Sequence, residues 1–327
     1  HGADAVRWFM AASGSPWLPR KLGHAAIGDV VRKVLLTYWN TASFLSLYGG
    51  LATWSPGDEV PAVTDRPVLD RWAISELNRV SAGVDEALDA FDTARAGQLL
   101  AAFVDDLSNW YVRRSRRRFW DGDAAALATL HERVTTLTRL MAPHTPFVTE
   151  KVWQSIVRPV EADAGMSVHL ASFPAADPTL VDDDLAEQVR LVRRLVELGR
   201  AARAEAKVRT RQPLSRALIG ARGWDALDDE LRTHVAEELN VLELTTLAGS
   251  GSGLVTYTAK GNFRSLGRRF GKDTPRVAAA IAAADAAALA AALSAGTAQV
   301  DVDGLGAVKL TPDDVVVTET PQEGWAV

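Results

Sequence analysis

The sequence predicts a mainly α protein, an antiparallel helical bundle followed by a small α+β domain, on three observations. Apolar residues recur at helical spacing from His24 to Val157. Short breaks containing Gly, Pro or Asp separate these stretches, as between neighbouring antiparallel helices. After Pro213 the period shortens to brief apolar runs alternating with two helical stretches.

The elements follow in order. Asp4 is placed to cap a short helix through Ala12, which Gly14, Ser15 and Pro16 stop. This piece carries too little apolar surface to fold alone, and the chain starts without methionine, so it reads as part of a larger protein. Ile27, Val30, Val31, Val34, Leu35, Tyr38, Ala42 and Leu45 mark a long helix that Gly49-Gly50 ends. A second starts near Pro67, with Leu69, Trp72, Leu77, Val80, Val84, Leu88 and Phe91 on one face. Asp92 caps the third, whose Leu99, Leu100, Phe103, Val104, Leu107, Trp110 and Tyr111 lead into an arginine cluster. Asp121-Gly122-Asp123 breaks the chain before Leu127, Leu130, Val134, Leu137 and Met141. Pro143 stops that helix, and Thr145-Pro146 reads as a cap with proline at the first position of the next.

Ser167 to Leu170, with Phe173-Pro174, reads as short and extended. A long helix follows Pro178, its start served by Asp182-Asp183-Asp184. Strands are expected at Ala217–Ile219, Leu242–Leu247, Leu254–Thr258, Gln299–Val302 and Val308–Thr311. Helices are expected at Trp224–Asn240 and, rich in alanine, Thr274–Ala295. Gly249–Gly253 reads as the connection of a hairpin, and Asp313–Val327 shows no closing element. The domain reading is 1–22 as a connection from a preceding domain, 23–175 as the bundle, 176–216 as a connecting helix with a basic stretch, and 217–327 as the α+β domain.

Composition narrows the chemistry. The 327 residues are 47% hydrophobic and 24% charged, with net charge −5, an ordinary globular balance. A nucleic-acid surface on such a chain must be a local patch, which disfavours a non-specific DNA binder. There is no cysteine, and the six histidines are scattered, so neither thiolate nor histidine metal sites are expected. No apolar run is long enough for a membrane span and no leader pattern opens the chain, which reads as cytoplasmic. Gly249-Ser250-Gly251-Ser252-Gly253 lacks the Lys-Ser/Thr and helix start of a phosphate loop. His144, between two prolines, and His169 read as structural, and no catalytic constellation is visible.

What remains is basic. Arg113, Arg114, Arg116, Arg117 and Arg118 fall within six positions, bracketed by Asn109, Trp110, Tyr111, Phe119 and Trp120. Six consecutive helical positions point all round the axis, so some arginines must pair internally while others can meet phosphate. The flanking aromatics can stack on unpaired bases; the plainer reading is a cation-rich helix end serving the helix dipole. Lys207, Arg209 and Arg211 form a second patch that shares one face if extended. Lys260, Arg264, Arg268, Arg269 and Lys272, with Asn262 and Phe263, form a third. Three basic patches on an acidic chain point toward a polyanion; each alone is equally a solvated surface.

At these residues the chain resembles a known family. Gly2-Ala3-Asp4-Ala5-Val6-Arg7, Asn109-Trp110-Tyr111-Val112-Arg113 with Arg116, Arg118, Phe119 and Trp120, Ala142-Pro143-His144-Thr145-Pro146-Phe147 with Glu150 and Trp153, and Ser167-Val168-His169-Leu170 look like successive motifs of class I aminoacyl-tRNA synthetases. The resemblance covers nearly the whole chain and lies within the isoleucine/valine/leucine group. Lys207-Val208-Arg209 with Arg211-Gln212-Pro213-Leu214, and Asn262-Phe263-Arg264-Ser265-Leu266-Gly267-Arg268, look most like the isoleucyl-tRNA synthetases, the second like their eukaryote-like subgroup. The alanine- and arginine-rich composition suggests a GC-rich genome. The resemblance implies the C-terminal anticodon-binding region of an enzyme that ligates isoleucine to its tRNA using ATP and Mg. This chain has neither the His-Ile-Gly-His nor the Lys-Met-Ser-Lys-Ser element, so it is expected to recognise tRNA without catalysing or editing, and to hold no cofactor. The implied RNA contacts are Asn109, Trp110, Arg113, Arg116, Arg117 and Trp120, then Lys207, Arg209 and Arg211, then Lys260, Arg264 and Arg268. Two alternatives stay open: the same region of a valyl-, leucyl- or methionyl-tRNA synthetase, or a helical protein-interaction module without RNA.

Overall fold

The computed structural model describes residues 1–15, 17–247, 255–294 and 296–321. Pro16, the Gly249–Gly253 connection, Leu254, Ala295 and residues 322–327 lie outside these. The chain divides into two units, His1–Val192 with Asp229–His234, and Arg193–Asp228 with Val235–Val327.

The first unit is helical. Helix α1 (Ala3–Ala12) is followed by α2 (His24–Val30), which runs through a π-helical turn, Val31–Leu35, into α3 (Leu36–Leu51). Then come α4 (Val68–Asp89) and α5 (Thr93–Asp105), joined by a short turn and packed together. Asp92 caps α5 as expected, accepting from the Arg95 amide at 2.9 Å. A second π-helical turn, Asp106–Val112, leads to α6 (Arg116–Trp120), and α7 (Ala124–Met141) and α8 (Pro146–Val152) complete the bundle. Leu77, Leu100, Phe103, Leu107, Leu127, Leu130 and Leu137 are fully buried between these helices, the inward side of the predicted stripes.

Two caps differ from expectation. Asp4 lies inside α1, and its carboxylate accepts from the Val148 amide at 2.8 Å, so it serves the start of α8 instead of its own helix. Thr145 makes no side-chain cap; its hydroxyl donates back to the Met141 carbonyl at 3.2 Å. Pro146 does hold the first helical position. Ser167–Leu170 is likewise a 3-10 turn instead of extended chain, because the Ser167 hydroxyl oxygen accepts from the His169 amide at 3.2 Å.

The second unit takes over within α9 (Asp183–Glu205), whose start is capped by Asp182 through the Leu185 amide at 2.9 Å. Strand β1 (Leu214–Ile219) pairs with β2 (Val241–Thr246) in parallel, Leu214 opposite Val241. A parallel pair needs a crossover, supplied by the 3-10 turn Trp224–Ala226 and α10 (Asp229–Leu239). Among the described residues β2 pairs with β1 and not with the next strand, so the expected hairpin does not form there. Strand β3 (Val255–Gly261) instead pairs antiparallel with β6 (Val315–Pro321), Lys260 opposite Val316. That strand stands where no closing element was read. Between them lie α11 (Phe263–Phe270), α12 (Thr274–Ala283), α13 (Ala286–Ser294) and the hairpin β4 (Ala298–Val302) with β5 (Gly306–Leu310). The alanine-rich stretch is two helices because Asp285 restarts it, accepting from the Ala287 amide at 2.9 Å. Ala259, Leu266, Val277, Ile281, Leu289, Val300 and Leu310 form this core.

Candidate nucleic-acid interface

Chain geometry sorts the five clustered arginines. The π-helical turn and a bend at Ser115 (φ −91°, ψ 6°) separate α5 from the single turn of α6, so the residues after the bend leave the phase of α5. Gly122 ends α6 with φ +72°, its amide donating to the Phe119 carbonyl at 3.2 Å while Asp123 donates to the Arg118 carbonyl at 2.9 Å. This glycine-closed helix end leads straight into α7, whose N-terminus Asp123 caps through the Ala126 amide at 3.0 Å.

Arg118 points inward. Its guanidinium grips Asp70 of α4 with both forks, Nη1 to Oδ1 at 2.6 Å and Nη2 to Oδ2 at 2.7 Å, and Nε donates to Asp123 Oδ2 at 2.8 Å. Tyr111 Oη donates to Asp70 Oδ1 at 2.9 Å, so the wholly buried Asp70 is surrounded by donors. Burial alone would lower the Arg118 pKa, but its hydrogen bonds to Asp70 and Asp123 outweigh that and raise it. Burial, then the Asp70 charge, pushes the Tyr111 phenol well up. Burial favours protonated Asp123, yet Arg118 and the Ala126 amide prevail and lower its pKa. Arg118 is thus a brace, its guanidinium held by two carboxylates, and Arg114 reaches His234 Nδ1 at 3.1 Å.

Arg113, Arg116 and Arg117 carry their side chains at the surface. Arg116 and Arg117 make no ion pair among the described residues. Trp120 is 62% exposed, and its indole N–H donates to Tyr48 Oη of α3 at 2.9 Å. Asn109 is exposed, its amide donating to Asp105 Oδ1 at 2.6 Å. Trp110, expected among the RNA contacts, is 8% exposed; its ring continues the apolar stripe of its helix and offers no face to a base. Phe119 is buried edge-on to Phe44 and Tyr111, with ring centroids 5.1 and 6.2 Å away.

The second unit holds the remaining predicted cations. Lys207, Arg209 and Arg211 are exposed but not extended, so the one-face argument from alternation fails there. Lys207 takes φ +57° in a turn folded around buried Arg203, which donates to the carbonyls of Arg209 (3.1 Å), Gln212 (2.9 Å) and Leu239 (2.6 and 2.9 Å). Lys260 lies exposed on β3, and Arg264 and Arg268, one turn apart, are exposed on α11. Arg269 is withdrawn from that patch by a salt bridge to buried Asp314, which also accepts from Ser265 Oγ at 2.7 Å. Sequence reasoning missed Asp70, Asp314, Arg203 and Tyr48. Their roles depend on partners 36 to 72 positions away in the chain or on a folded turn. Among the described residues no cluster of three or more His, Asp or Glu could hold a metal ion.

Comparison with known proteins agrees with this geometry. Residues 70–218 match the family model described as the anticodon-binding domain of tRNA ligase, a span that begins at Asp70 and contains the arginine run. The chain is 63% identical over its full length to an isoleucine–tRNA ligase of Streptomyces coelicolor, of which it covers 31%. It is 59% identical to that of Thermobifida fusca and 38% identical to that of Thermus thermophilus, covering 31% and 32% of those proteins. Residues 70–218, most of them in the helical unit, are thus similar to anticodon-binding domains of the tRNA-ligase type. The chain matches these isoleucine–tRNA ligases along its whole length and spans about a third of theirs.

Proposed function

We propose that this chain is the tRNA-recognising part of a cytoplasmic ligase that joins isoleucine to its tRNA, and that the helical unit receives the anticodon stem-loop. One observation carries the reading: Arg116 and Arg117 stand exposed, with no ion pair among the described residues, on a turn that Arg118 and Asp70 anchor, within the stretch matching the anticodon-binding domain. Unpaired anticodon bases expose faces and Watson–Crick edges, whereas phosphates supply attraction without sequence information. Arg113, Arg116 and Arg117 contact the loop backbone, and Asn109 and Trp120 lie beside them. Lys207, Arg209, Arg211, Lys260, Arg264 and Arg268 supply further phosphate contacts from the second unit. ATP and Mg serve the parent ligase outside this chain, so the pure chain gives no isoleucine-dependent pyrophosphate exchange.

Fluorescence anisotropy tests the proposal, with isoleucine tRNA, an anticodon-altered version and valine tRNA compared across a salt series. A preference for the intact isoleucine anticodon that persists as salt rises supports base readout by this chain. Binding that collapses equally for all three leaves only phosphate attraction and refutes anticodon recognition.

A further inference from the structure

Trp120 is a large aromatic ring placed largely in solvent, and its setting is not that of a stray surface residue. Its one polar atom is already satisfied, because the indole N–H donates to Tyr48 Oη at 2.9 Å. With that N–H engaged, the ring of this residue, which is 62% exposed overall, offers its apolar face to solvent, a surface suited to stacking. The tether also fixes the ring. Tyr48 is itself held on α3 against Phe44, ring centroids 4.4 Å apart, and Phe44 meets buried Phe119 next to Trp120 in the chain. A ring held in one rotamer loses little freedom on binding a ligand.

Charge supplies the rest of the argument. Arg116 and Arg117 precede Trp120 by four and three positions on one helical turn, so their side chains emerge beside the ring. Cations flanking an aromatic face at this spacing match a single nucleotide, with its base on the ring and its phosphates on the guanidinium forks.

We infer that Trp120 is the stacking platform for one unpaired nucleobase, and that Tyr48 is the positioning residue that orients it. The inference rests on the tRNA reading above and adds to it the residue that meets a base face and the residue that aims it. Stacking is tolerant of base identity, so this contact fixes the splayed geometry of the loop and leaves discrimination to edge contacts.

The test uses the whole 327-residue chain and a fluorescein-labelled anticodon stem-loop of isoleucine tRNA. Trp120→Ala should weaken binding about tenfold or more, leave the slope of affinity against salt unchanged and leave the melting temperature unchanged. Trp120→Phe, which keeps a ring, should recover most of the loss. Tyr48→Phe keeps the contact with Phe44 but removes the acceptor, and should fall between wild type and Trp120→Ala. Stem-loops made abasic at each loop position in turn give the coupling: at one position the Trp120→Ala effect should vanish, because the base it stacks is gone. Equal loss across every abasic loop, or wild-type affinity in Trp120→Ala, overturns the platform. Wild-type affinity in Tyr48→Phe beside a weak Trp120→Ala overturns the positioning role. If the unaltered chain binds no stem-loop, the tRNA reading itself falls, an outcome distinct from both.

Discussion

Exchange of Asp70 for alanine removes the centre of the network that holds α6. The variant loses two charged hydrogen bonds from Arg118, at 2.6 and 2.7 Å, and one from Tyr111 at 2.9 Å. Breaking a buried ion pair from one side costs about 3–5 kcal/mol, most of it the charge left behind. Arg118 keeps Asp123 and has 23% of its side chain in solvent, which relieves part of that burden. A loss of about 3 kcal/mol, the low end of the range, is expected. Asp70→Asn keeps an acceptor for Tyr111 and should lose less. The double variant Asp70→Leu, Arg118→Met removes both charges and should regain much of the loss. Guanidinium unfolding followed by tryptophan fluorescence reads this unit selectively, since every tryptophan except Trp224 and Trp325 lies within residues 1–192. The two units call for separate transitions in the fit. An Asp70→Ala chain within about 0.5 kcal/mol of wild type, the range of an ordinary surface change, would refute the bracing argument.

Three further outcomes follow from the same geometry. Arg116→Ala and Arg117→Ala should each lower the salt dependence of tRNA affinity by about one phosphate contact without changing the melting temperature, whereas Arg118→Ala should destabilise the fold; a salt series beside thermal melts separates the two behaviours. Burial holds the His131 pKa down at about 4 despite the nearby Glu132 charge, so the unfolded chain takes up this proton first as pH falls. That stability is complete above pH about 6.5 and is lost as pH falls toward 4, by at most about 3 kcal/mol; Glu161, 3.6 Å away with its pKa raised by burial, acts in the opposite sense, and His131→Gln should flatten the acid limb of a pH–stability curve. A Cβ on Gly97 would meet Ala12 Cβ at 2.2 Å and Ala12 Cα at 3.0 Å, so Gly97→Ala should cost about 1–3 kcal/mol in denaturant unfolding, and a neutral result would show that α1 does not dock there.

The bundle was legible because helix signals are local. Asp92, Gly122, Asp182 and Pro146 stand at helix ends in the sequence and in the structure, and the 3.6-residue stripes mark the buried faces. Phase was not legible. The π-helical turns at Val31–Leu35, Asp106–Val112 and Trp153–Val157 each shift the helix without a residue type that announces them. Strand pairing was not legible either, because β1 with β2 and β3 with β6 are chosen by distant contacts. Val315-Val316-Val317 carried the composition of a strand, yet its partner lay more than fifty residues earlier. The candidate site divided in the same way. Residue types located the arginine run, but nothing local separated Arg118, spent on Asp70, from Arg116 and Arg117, left at the surface.

That separation would let a chain of net charge −5 carry the polyanion site proposed above. Five arginines on an uninterrupted helix would spread their charge round the axis, and those turned inward would need partners. The bend at Ser115 and the carboxylates of Asp70 and Asp123 settle both matters at once. Arg118 is neutralised by two anions inside the bundle and adds little to the outward field, while its grip fixes the turn that carries Arg116, Arg117 and Trp120. A polyanion bound as proposed would meet cations and a ring already in place, and the ordering cost would fall on folding instead of on binding. On the proposed reading, architecture and recognition are coupled through one side chain. The coupling is measurable: in Asp70→Ala, tRNA affinity should drop at temperatures where the rest of the bundle is still folded, although Asp70 itself is fully buried and touches no ligand. Unchanged affinity in a folded Asp70→Ala chain would separate the two roles and leave the arginine motif as two unrelated halves.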